Sequence, residues 1–203
     1  MSVHQHHQCE QCGYDLAGQT PIHCPKCGFL AHRYTQRVRE VIAVANKHAI
    51  DMFSGKRENQ RLARWWQPCT ISTPAIYPFH LLLGLATGPS GVAQHVLVRS
   101  SVHLDSLVRA IEVRSPRIKH HNLSNVAKLR LHASSAMVVK AAVLAAMELK
   151  HTWVGTEHLL LALLDADDNV CKESLSEHGV QKSACVNLIL QNLASIQSEE
   201  TPP

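Results

Sequence analysis

What this chain of 203 residues lacks narrows it first. No apolar run approaches the ~20 residues needed to span a bilayer, so no membrane segment is expected. The N-terminus, MSVHQHHQCEQC, has no apolar stretch of the kind a secretory signal carries, and a soluble cytoplasmic protein is the expectation. Aromatic residues make up only 4% of the chain, too few for a core built on rings. No segment alternates polar and apolar residues convincingly, so strands are not expected. The phosphate-cradling pattern G-x-x-x-x-G-K-[ST] is absent, and ATP hydrolysis is not expected. The fifteen histidines are scattered, no nucleophile stands beside a base, and no open metal site is visible. The expectation is therefore not an enzyme.

Charge is present but uneven. Residues 33–66 carry eight Lys/Arg against three Asp/Glu, and residues 99–130 seven against two. Residues 131–203 reverse the sign, with four against nine. Solvated helix faces explain such a pattern, and a weak, salt-sensitive attraction of the first half to an acidic partner is the sharper alternative.

Four of the seven cysteines form Cys9-x2-Cys12-Gly13 and Cys24-Pro25-Lys26-Cys27-Gly28, with eleven residues between the pairs. The two-residue gap lets both thiolates of a pair reach one ion. The glycine after each second cysteine lets the chain turn back with its amides toward sulfur. Four thiolates suit tetrahedral Zn2+ and leave no position for water, so Cys9, Cys12, Cys24 and Cys27 are expected to hold a structural zinc. The segment, residues 1–30, resembles a zinc ribbon or rubredoxin-like knuckle pair. The iron reading is weakened by the short spacer and the scarcity of aromatics. With so few apolar residues, metal binding would supply the segment's folding free energy. Lys26 is set against Glu10 and Asp15, so the segment is not itself basic, and protein contact is favoured over nucleic-acid reading.

The remaining chain repeats itself at an offset of 78 residues. Ile76-Tyr77-Pro78-Phe79-His80-Leu81-Leu82-Leu83 lies over Val154-Gly155-Thr156-Glu157-His158-Leu159-Leu160-Leu161, and apolar positions stay in register over 36 residues, to Ile111 over Ile189. One supersecondary unit has been used twice. Each copy reads as four helices. The first begins at about Thr35 in one copy and Ala133–Ser134 in the other. The second opens at Pro78 and at Thr156, with Thr156 as the expected cap and Glu157 in the first turn. Leu159, Leu160, Leu161, Leu163 and Leu164 are apolar on nearly every side, the mark of a buried helix. The third helix ends at His178-Gly179, and the fourth runs from about Gln181 to Ala194. The expected fold is all-α: a first unit over 33–112, a polar linker over 113–131, a second unit over 132–195 and a disordered tail over 196–203. Cys171 and Cys185 stand where the other copy has Ala93 and Leu107, and read as small core residues. His80 and His158 recur inside apolar helices and read as hydrogen-bonded structural histidines.

Between its first and second helices copy one is longer by 19 residues, an insertion within about 50–75 that holds Arg61, Arg64, Trp65 and Trp66. Adjacent tryptophans beside arginines can stack on bases or grip a peptide. Packing against the core edge is the plainer reading.

Trp153-Val154-Gly155-Thr156-Glu157-His158-Leu159-Leu160-Leu161 resembles the V-G-T-E-H-L-L-L segment of the Clp unfoldase N-terminal double-repeat domain, the Clp R or Clp N domain. Arg33-Tyr34-Thr35-Gln36-Arg37-Val38 resembles that family's opening, and the resemblance extends over roughly 33–195. It implies a domain that binds adaptors and substrate proteins ahead of ATPase modules. Some members recognise phosphorylated arginine, with the Glu of G-T-E-H on the guanidinium. Glu157 matches that position in copy two, whereas Phe79 takes it in copy one and cannot pair with a cation. The expected function is a non-enzymatic protein-binding module: an adaptor, decoy or regulator in ATP-dependent proteolysis or protein quality control. It would meet Clp components or substrate proteins through Thr156, Glu157, Trp65 and Trp66. The alternative is a nucleic-acid-associated regulator using the ribbon and the basic first half.

Overall fold

The computed structural model describes residues 34–55, 70–71, 73–118, 121, 123, 126, 128–151 and 153–199. The ribbon cysteines Cys9, Cys12, Cys24 and Cys27, and the insertion's Trp65 and Trp66, lie outside the described residues. Eight helices are described, in two sets of four. The first set is α1 (Gln36–Phe53), α2 (Pro78–Thr87), α3 (Val92–Arg99) and α4 (Leu104–Arg114). The second is α5 (Ala133–Glu148), α6 (Thr156–Leu164), α7 (Asn169–Glu177) and α8 (Lys182–Glu199). The duplicated all-α architecture matches the expectation. α8 continues to Glu199, past Ala194 where the apolar pattern ends.

Apolar spacing decides which face each helix buries. Val38, Val41, Ala45 and Ala49 recur every three or four residues along α1 and are all buried. α2 and α6 are apolar on nearly every side and lie at the centre: Leu81, Leu82, Leu83, Leu159, Leu160 and Leu163 are at most 1% exposed. Removing each such leucine from water stabilises the fold by about 2 kcal/mol. Gly84 lets α1 and α2 cross closely, since a Cβ there would lie 2.5 Å from the Val41 carbonyl oxygen. Cys171 and Cys185 are free and fully buried, like their counterparts Ala93 and Leu107.

Each third helix ends in the same turn. The Val180 and Gly179 amides donate to the carbonyls of Leu175 and Ser176, with Gly179 at φ 68°. In copy one the Val102 and Ser101 amides donate to Leu97 and Val98, and Ser101 takes φ 62° without being glycine. α5 also closes this way, with Lys150 at φ 56° and the His151 amide donating to the Ala146 carbonyl.

The two sets join through their helix entries. Tyr34, just before α1, bridges in parallel to Val154, just before α6. Leu131, just before α5, bridges in parallel to Ile76, just before α2. Each unit's first helix therefore starts beside the other unit's second helix. The segment between the units is tied down as well: the Leu129 amide donates to Asn46 Oδ1 at 2.8 Å and the Ile76 amide to the Arg130 carbonyl at 2.9 Å. One feature the sequence does not announce is a parallel pair of two-residue strands, β1 (Thr70–Ile71) and β2 (Arg117–Ile118). Two residues are too few to display a period.

Candidate functional site

Three helices begin at one groove of about 570 Å³. Thr35, Gln36 and Arg37 open α1, Gly91 and Val92 open α3, and Gly155, Thr156 and Glu157 open α6. Ser90 and His95 complete the lining. The entry bridge holds the walls together, with the Thr35 amide donating to the Val154 carbonyl at 3.1 Å. Converging helix N-termini present unsatisfied amides and the positive ends of helix dipoles, which favour negative charge.

Thr156 has a different role from the one expected. The cap of α6 is Gly155, in extended conformation, and Thr156 is the first residue of the helix. Its Oγ1 accepts a hydrogen bond from the Ala93 amide at 3.2 Å, in the first turn of α3. Thr156 thus caps a helix of the other unit. It is 3% exposed, and a Cβ on Gly91 would lie 2.8 Å from its hydroxyl, so glycine is what allows the approach.

Copy one carries Pro78 at the matching position and has no hydroxyl to offer. The matching amide in copy two belongs to Cys171, and Asp168 Oδ1 accepts from it at 2.9 Å. One third helix is capped across the units, the other by its own flanking residue.

His158 and His80 are structural, as expected. His158 Nδ1 accepts from the Gly155 amide at 2.8 Å, and His80 Nδ1 from the Tyr77 amide at 3.0 Å. An imidazole whose Nδ1 accepts an amide proton carries its own proton on Nε2 when neutral. His158 Nε2 therefore donates to His151 Nδ1, 2.7 Å away. The turn closing α5 delivers His151 to this position, a residue that no pattern in the sequence singles out.

Glu157 folds back so that its carboxylate lies over the Cα of Gly155. Its side chain is only 14% exposed. Burial raises its carboxyl above the usual range, opposed by its own backbone amide and by nearby His151. Glu157 Oε1 lies 3.3 Å from His158 Nδ1, but that nitrogen already accepts the Gly155 amide proton, so the contact is not an ion pair in the neutral ring. No Lys or Arg among the described residues pairs with Glu157.

His151, Glu157 and His158 place one ligand atom each within 4.8 Å of one another, a donor set that zinc accepts. The hydrogen bonding disfavours that use. His158 Nδ1 is occupied by the amide, Nε2 holds the proton and His151 Nδ1 receives it, so an ion would have to displace that proton.

Among the described residues, aromatic rings occupy the matching place in copy one. Tyr77 stacks on His132, with ring centroids 4.4 Å apart, and on Phe79 at 6.0 Å. Phe79 is 1% exposed. Of the residues expected to bind a partner, the structure places Thr156 and Glu157 together at one groove. Thr156 is there as the clasp, with its hydroxyl engaged, and Glu157 as the carboxylate in the groove wall.

A duplicated four-helix domain with a groove at its helix entries is the class that fold and site define. The chain belongs to the Clp repeat (R) N-terminal domain family, whose model matches residues 72–183, more than half of its length. It is 28% identical over 138 residues to the ATP-dependent Clp protease ATP-binding subunit ClpC of Staphylococcus epidermidis and equally to that of Staphylococcus aureus. The match covers 68% of this chain and 14% of those relatives. Among solved structures, the N-terminal domain of the chaperone ClpD from Arabidopsis thaliana superposes with a TM-score of 0.53 at 20% identity, covering 80% of this chain and 95% of that one. A chain from a malarial protein secretion system gives 0.56 at 19% identity, covering 79% and 94%. These superpositions support the fold. No single helix among the described residues is long and apolar enough to cross a membrane.

Proposed function

We propose that this chain is a non-enzymatic, cytoplasmic protein-binding module of a Clp-type system, acting as an adaptor, decoy or regulator in ATP-dependent proteolysis. The observation that carries the reading is the groove at Glu157. A nearly buried carboxylate that pairs with no Lys or Arg among the described residues lies at a space where three helix N-termini converge. Such a site suits a side chain that is positive near its root and negative beyond it. Phosphorylated arginine has that character, and some members of the family are expected to recognise it. Plain arginine would use only the carboxylate, and the helix ends would then go unused.

Cys9, Cys12, Cys24 and Cys27 are proposed to hold one structural zinc, giving the module a second contact surface. Metal analysis of the purified chain should return about one zinc per chain.

The function is tested by fluorescence anisotropy of the full chain against three peptides of one sequence, bearing arginine, phosphoarginine or lysine. Preferential binding of the phosphoarginine peptide supports the reading. Equal or absent binding of all three at low salt removes it.

A further inference from the structure

We propose that the outer face of α5 is the interface through which two copies of this chain associate, antiparallel about Leu144. This proposal does not rest on the groove.

On α5, Ala133, Ala136, Met137, Lys140, Leu144, Met147 and Glu148 share one solvent-facing side. Met137 is 64% exposed, Leu144 41% and Met147 48%. The fold does not require apolar residues there. Aligning the two units at their helix caps, Thr35 and His132, sets α1 beside α5. Arg39 then matches Ala136, Glu40 matches Met137 and Lys47 matches Leu144. Arg39 and Lys47 are exposed and Glu40 is half-buried. At these three positions charged residues in one copy are replaced by apolar ones in the other, whereas Lys140 stands opposite exposed Ala43 and Met147 opposite half-buried Ile50. A cluster of large exposed apolar side chains on one of two equivalent helices marks a contact surface.

Charge selects the occupant. The only charged residues on this face are Lys140 and Glu148, four residues before and four after Leu144. Neither makes an ion pair among the described residues. A two-fold axis through Leu144 brings Lys140 of one copy level with Glu148 of the other, twice over, and sets Ala141 level with Met147. Small residues let the backbones approach and the methionines fill the remaining gaps. An isologous interface requires a surface that complements itself in this way.

The test is sedimentation equilibrium of the full chain across concentrations up to on the order of 100 μM, where even modest self-association shows. The wild type should reach a dimer, and Leu144→Lys should leave a monomer. That variant is expected to fold, because Lys47 already occupies the matching place on α1, and an unchanged far-UV helical signal checks it. Lys140→Glu and Glu148→Lys should each weaken association about tenfold, because like charges then face one another. The double variant K140E/E148K should restore it. A wild type that stays monomeric overturns the proposal, as does a dimer that survives Leu144→Lys or a double variant that does not recover. Each would show that this face serves another partner or none.

Discussion

The entry to the second helix of each unit is one piece of sequence put to two uses. In copy one it reads Tyr77-Pro78-Phe79-His80, in copy two Gly155-Thr156-Glu157-His158. The histidine is common to both and does the same work, accepting the amide of the residue three before it. Everything around it differs. Aromatic rings fill the place in copy one, whereas glycine and glutamate leave a groove in copy two. The histidine the fold needs has been kept twice, while its largely buried neighbours have changed: Pro78 and Phe79 in one copy, Thr156 and Glu157 in the other. The caps of the third helices show how the change was accommodated. Where Thr156 is present it serves α3 across the units. Where Pro78 replaces it, Asp168 serves α7 from its own unit.

The comparison can be broken at several points. The largest effect is expected where the units differ in how closely their first two helices cross. Gly84→Ala should cost about 2 kcal/mol by forcing α1 off α2, although alanine is otherwise the better helix former. Ala162→Gly at the matching position should cost about 1 kcal/mol through propensity and lost burial. Chemical denaturation of both variants checks the difference. Thr156→Val keeps the shape but strands the buried Ala93 amide, and should cost about 1–2 kcal/mol. Asp168→Ala, at a partly solvated cap, should cost about 1 kcal/mol. If the two cap losses reverse in size, the capping across units is not what holds α3. The smallest effect is a gain. Ser101→Gly should raise stability by about 1 kcal/mol, because Ser101 takes the positive φ that Gly179 takes in copy two. A melting temperature that falls instead would show that the Ser101 side chain is needed.

Glu157 connects stability to pH with a definite sign. Its folded pKa is raised, chiefly by burial, so its contribution is largest below the ordinary carboxylate range and is lost as pH rises through the raised value. Glu157→Gln should therefore fold at least as well as the wild type near neutral pH, and its advantage should shrink on acidification. Cation binding runs the other way, weakening as pH falls and the carboxylate takes up a proton.

Much of this was legible in the sequence, for reasons that can be named. The leucine-rich helices and the third helices announce themselves by apolar spacing. The 78-residue register also predicts the burial of Cys171 and Cys185, because their counterparts are Ala93 and Leu107. Thr156 was misplaced for a physical reason: a threonine before an apolar run reads as a cap for its own helix, and nothing local says that its hydroxyl reaches another. The signal was nonetheless present in the register. Pro78 stands opposite Thr156, and a proline cannot supply a hydroxyl, so the two third helices had to be capped differently. His151 escaped notice because it lies just past the end of α5 and reaches His158 only through a turn with positive φ at Lys150. The β1–β2 pair escaped because two residues carry no pattern.

The central claim is that the duplication left one open groove and closed the other. Calorimetric titration of the full chain with a phosphoarginine peptide tests it most directly, because the titration counts sites. The account predicts a single site per chain, weakened about tenfold or more by Glu157→Gln with no loss of helical signal. Two equivalent sites per chain, or unchanged affinity in Glu157→Gln, would contradict it.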